Sequence, residues 1–232
     1  MAVPDAALTL ERELRGVFGA RLRSLVVHGL HADAHAPVRT MAVVESLTEQ
    51  DLRGCAARVP SWHAAGLATP LLVPSAELGR SLDAFPLEFS AIIADHVVVA
   101  GTPPFDGKAV DAVDIRRACE AQARSHLLHL REGFLETGGN RDALAVLVAQ
   151  SASPLNALLA SLARLDGRTD LNPEAAGRHA ERTLSVSPGS ITEVVKLARV
   201  HEISGADAER VFPPYLAAMQ RLVEYVDNWA RR

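Results

Sequence analysis

Three imidazoles and a carboxylate crowd one short stretch: His28, His31, Asp33 and His35 fall within eight residues. Neutral imidazole nitrogen and carboxylate oxygen together form a ligand set suited to zinc or another transition metal. Two features weigh against that chemistry. His28 closes an aliphatic run, whereas the other three sit in a stretch of loop composition, where such residues gather without any ligand. No second cluster elsewhere in the chain supports them. Farther along, Arg116, Arg117, Arg124 and Arg131 recur among Glu120, His126, His129 and Glu132. Pairs at i and i+4 make a solvated, ion-paired helix face. The alternative is a groove in which Arg124 and Arg131 hold an anionic ligand without metal, since guanidinium grips phosphate with two bonds. No Ser occupies a G-x-S-x-G elbow, and neither G-x-G-x-x-G nor G-x-x-x-x-G-K-[ST] occurs, so hydrolase, Rossmann and P-loop readings lack support.

The run Leu25-Val-Val-His28 ending in Gly29, then Thr40-Met-Ala-Val-Val44 after a short loop, resembles the frame of the DNA polymerase beta-like nucleotidyltransferase superfamily. In that superfamily one strand ends in Gly-Ser and the next carries Asp-x-Asp. The resemblance puts Leu30 at the Ser position and Thr40 and Ala42 at the two Asp positions. Residues two apart on a strand share a face, so Asp-x-Asp aims two carboxylates at one magnesium ion, which bridges them to substrate phosphates. Thr40 offers a neutral hydroxyl and Ala42 offers nothing, so the frame is expected to stand without its metal, as a pseudoenzyme. Glu88, in the apolar run 85–92, falls where relatives place a third catalytic carboxylate; its bland reading is a Glu on the solvent face of a strand. The resemblance further implies a C-terminal helical, HEPN-like partner domain. Between the two domains a cleft would hold a nucleotide or other small molecule, contacted by Gly29, Leu30, Arg124 and Arg131. No cofactor is expected. Magnesium would enter only if relocated carboxylates such as Glu88, Asp33 or Asp95 restored transfer.

The elements that must position these residues read as follows. Leu10, Leu14 and Phe18 share one face of a helix ending near Gly19 or Arg21. Strands follow near 23–28 and 40–46, and Thr48 caps a helix reaching about Arg58. A short buried strand covers 71–73, Ser75 caps a helix over 76–82, and a strand-like run spans 85–92 before His96-Val-Val-Val-Ala-Gly101. This order predicts an α/β (α+β) domain over residues 1–108, a small mixed sheet with helices on one side. The turn-rich 102–107 reads as a linker. From 109 to 232 the period is helical: Leu127, Leu130 and Phe134 share a face, Gly138-Gly139-Asn140 is a stop, Pro154 kinks the next helix, Asn172-Pro173 opens another, and Ser190-Ile-Thr-Glu193 has the form of a capping box. Five helices sharing one core complete an all-α bundle.

Composition bounds the partners. With 48% apolar and 22% charged residues and a net charge of −4, the chain presents no general field for nucleic acid or an anionic membrane. Cys55 and Cys119 are far apart, without CxxC spacing, which fits a reducing, cytoplasmic setting. No export signal and no uninterrupted apolar run long enough to span a bilayer is visible. Apolar stripes on the C-terminal helices would suit a homodimer, the non-catalytic alternative.

Overall fold

The computed structural model describes residues 3–30, 36–168, 172–200 and 202–229. The chain divides into two compact units, Met1–Asp111 and Ala112–Arg232.

In the first unit, α1 (Asp5–Phe18) buries Ala7, Leu10, Leu14 and Phe18, the stripe that its spacing demands, and Gly19 at φ +56° ends it. The chain then enters β1 (Leu22–His28) and β2 (Arg39–Val44). Two short helices follow, α2 (Glu49–Ala56) and α3 (Val59–Ala64), then β3 (Leu71–Pro74), α4 (Ser75–Ala84), α5 (Pro86–Ala94) and β4 (His96–Gly101). The sheet order is β3-β2-β1-β4, with β1 antiparallel to both β2 and β4, and β3 parallel to β2. It is the small mixed sheet that the sequence predicts.

Helices clad both faces, not one. Leu25, Ala42 and Val44 meet Leu10 and Leu14 of α1, Cys55 of α2 and Trp62 of α3. Val26, Met41 and Val43 point the other way, onto Leu78 and Leu82 of α4 and Phe89 and Ile92 of α5. Strands buried on both sides must be apolar at successive positions, which explains the unbroken aliphatic runs in β1 and β2.

Three local expectations fail, each for a physical reason. The run 85–92 is helix α5, not strand: Pro86 fits the first helical turn, and Phe89 and Ile92, one turn apart, face inward. A short apolar run carries no decisive period. The helix expected to reach about Arg58 stops at Ala56, and α3 begins at Val59 with Pro60 in its first turn. Ser75 does not cap α4; its hydroxyl donates to the Val44 carbonyl at 3.0 Å, tying β2 to the helix. The Thr48 cap is present, as a capping box with Asp51.

The second unit is all helix: α6 (Ala112–Glu136), α7 (Arg141–Leu165), α8 (Pro173–Thr183), α9 (Thr192–Val200) and α10 (Gly205–Asn228). Asn140 and Asn172 cap α7 and α8 through their side-chain oxygens. The Ser190 capping box is absent. Glu181 of α8 takes over, its Oε1 accepting from the amides of Gly189, Ile191 and Thr192 at 3.1, 3.0 and 2.8 Å and from the Thr192 hydroxyl at 3.0 Å. The acidic partner of this helix start thus comes from the preceding helix and not from within it. Helix α7 is long and apolar enough to cross a bilayer. Here it is the bundle's central helix, with Leu155, Leu158, Leu159 and Leu162 almost wholly buried.

Candidate functional site

The end of β1 shows how the frame is built. His28 faces Arg39 across one ladder and His96 across the other. Gly29 follows at φ +68°, a left-handed turn that glycine makes without steric cost, and its N–H donates to the Asp95 carbonyl at 3.0 Å. Burial, then the charge of Arg39 and the neighbouring His96, push the His28 imidazole down to about 4 against a smaller opposing pull from Asp95. His28 is therefore neutral at physiological pH. Its proposed companions His31, Asp33 and His35 lie outside the described residues, and among the described residues no group of three His, Cys, Asp or Glu is placed to hold a metal ion.

Thr40 and Ala42 do share a face of β2, opposite Val27 and Leu25 of β1. That face is core. Ala42 has no exposed surface and packs with Leu14 and Trp62; Thr40 is 1% exposed, and its hydroxyl has no hydrogen-bond partner among the described residues. A magnesium ion needs anionic or neutral oxygens plus room for its retained waters. One enclosed hydroxyl beside a methyl group does not fit it.

Glu88 cannot complete such a pair. It sits exposed in the first turn of α5, and α5 packs against Val26, Met41 and Val43, the sheet face opposite to the one that carries Thr40 and Ala42. Leu30, half-buried, directly follows the Gly29 turn.

The arginines of α6 are largely committed. Arg116 donates to Glu120 at 2.9 Å, and Arg124 bridges Glu120 and Asp227 of α10 at 3.2 and 2.6 Å. Arg131 is exposed. The pairing follows the ion-paired face, with Arg124 serving as a clamp between two helices.

Sequence spacing gave no hint of two partly buried polar assemblies in the second unit. Asp166, at the end of α7, accepts from Tyr225 of α10 at 2.7 Å and pairs with His179 of α8 at 2.8 Å. Arg164 is mostly buried, bonded to the Ser161 hydroxyl at 3.1 Å, and lies near Cys119, whose thiol burial pushes up to about 12. Their members come from different helices, so only the assembled bundle brings them together. Such a thiol is protonated and inert as a nucleophile at neutral pH.

Comparison with solved structures places this architecture. The chain is similar to a spectinomycin adenyltransferase, AAD(9) from Enterococcus faecialis, whose crystal structure holds ATP and spectinomycin. The TM-score is 0.59 over 94% of this chain and 98% of that one, at 12% sequence identity. No protein-family model matches the chain, and no curated protein matches it. At this identity the likeness is one of fold: a nucleotidyltransferase-like α/β unit followed by a helical unit.

Proposed function

We propose that this chain uses the nucleotidyltransferase fold without transferring nucleotides, as a small-molecule-binding protein. The carrying observation is the pair Thr40 and Ala42: at the two strand positions where the superfamily resemblance expects metal-binding carboxylates stand a hydroxyl and a methyl, both enclosed in the core. Phosphoryl transfer depends almost wholly on positioning and on electrostatic stabilisation by metal ions and cationic groups. A sheet that offers no anionic oxygens at these positions supplies no such centre. His28, neutral and partly buried, is poised to hydrogen-bond a ligand near the Gly29 turn, not to carry charge for it.

The test is direct. The purified chain is incubated with magnesium and each of ATP, GTP, CTP and UTP, with and without spectinomycin, since the similar structure holds ATP and spectinomycin. No pyrophosphate release above a protein-free control is expected. Metal-dependent release that a chelator stops would refute the proposal.

A further inference from the structure

We propose that the groove between α6 and α7 is a binding site for an uncharged small molecule that combines an apolar ring with hydrogen-bond donors of its own. The groove encloses about 320 Å³, toward the small end of ligand pockets and suited to a ring with a short polar substituent. Leu130, Leu147 and Pro154 supply apolar walls, and Gln122, His126, Gln150 and Ser151 supply the polar points. No Lys, Arg, Asp or Glu lines it. The imidazole of His129 at the exposed rim already faces Glu132 at 3.3 Å, so a charged ligand would leave water there without gaining a free counter-charge, whereas a neutral one loses little.

Two acceptors among these polar points lack a donor. The Gln122 carboxamide oxygen is shielded from water and has no partner among the described residues. Pro154 has no N–H, so the Gln150 carbonyl one turn earlier lacks its helical donor, and both residues line the groove. The floor is polar as well. Ser151 donates to the Val148 carbonyl at 2.7 Å, and Tyr215 Oη lies 2.5 Å from His126 Nε2. Burial pushes the His126 imidazole down to about 4, so it lines the groove neutral at physiological pH. Unmet acceptors with apolar walls select N–H or O–H donors on an apolar body.

Phenylurea carries an apolar ring and three N–H donors and has no charge; benzoate and benzylammonium are similar in size but charged. Long-range proton–nitrogen NMR correlation reads the His126 imidazole in the full chain during titration with each. Phenylurea is expected to move the His126 nitrogens saturably, and the two charged probes to bind at least about tenfold more weakly. Gln122→Leu should weaken phenylurea about tenfold, and Ser125→Phe, at the groove's exposed rim, should abolish its binding, both with unchanged circular dichroism. No saturable shift with phenylurea, equal or tighter binding of benzoate, or full affinity in a folded Ser125→Phe chain each overturns the proposal. If either variant fails to fold, the neutral-against-charged comparison in the wild-type chain still decides. Because the readout is binding in the helical unit, a negative result here is separable from any pyrophosphate release in the transfer assay.

Discussion

Ala42 stands directly across the β1–β2 ladder from Leu25, and neither side chain has any exposed surface. The position at which the superfamily resemblance expects a carboxylate is thus a contact inside the core. Installing two carboxylates with Thr40→Asp and Ala42→Asp is expected to lower stability by several kcal/mol, because both would be stripped of water without a cation. Urea unfolding with and without magnesium checks this. A double variant that folds normally and gains a magnesium-dependent rise in its midpoint would show that the face is open after all.

Asp51 binds Arg21 with both oxygens, at 2.7 and 2.8 Å, while it closes the Thr48 capping box. One carboxylate pins the start of α2 to the entry of β1. Asp51→Ala should lower stability clearly, since it removes the box and leaves Arg21 with Ser46 as its remaining partner. Asp51→Asn should cost about half as much, because the amide oxygen still accepts from one partner. Denaturant midpoints at neutral pH distinguish the two, and equal effects would mean that the cap alone matters.

Glu181 gathers three amides and a hydroxyl on one oxygen while 6% exposed. Glu181→Ala is expected to cost about 3 kcal/mol, the penalty of leaving buried donors unmet. Amide exchange over Gly189, Ile191 and Thr192 should accelerate before exchange elsewhere in the bundle. Uniform acceleration would instead indicate a global loss of packing.

Acid should weaken the fold in a defined window. Burial holds both His28 and His126 near 4, below the ordinary histidine value of 6.5, so the unfolded chain takes up protons first as pH falls. The stability these neutral imidazoles represent is fully present above 6.5 and drains away between there and about 4. For His126, 9% exposed, it amounts to roughly 3 kcal/mol. His126→Gln should flatten that part of the profile of urea midpoint against pH. An unchanged slope would mean that His126 is already charged in the native state.

What could be read ahead of the structure was local or strongly periodic. The α1 stripe, the Thr48 and Asn172 caps and the β1 and β2 runs depend on neighbours a few residues away, and all appear. Glu88 and Ser190 failed because their surroundings are set at a distance. Residues 85–92 lack a period that separates helix from strand, and the acid that holds the α9 start comes from α8. The ion pairing of Arg124 was legible through Glu120, four residues before it; its second partner, Asp227, was not. The superfamily resemblance located Thr40 and Ala42 on a strand. It could not reveal that α1, α2 and α3 cover them, since burial belongs to the assembled layers.

A sheet wrapped on both sides also constrains how such a chain can change. Installing either acid alone at Thr40 or Ala42 would strand a solitary charge under α1 to α3, and only a simultaneous pair, with the overlying helices loosened, could recruit an ion. Mutation by mutation, that route runs through poorly folded intermediates. Under such wrapping, new chemistry is more accessible to single substitutions at strand ends and along the helical unit than on the sheet's faces.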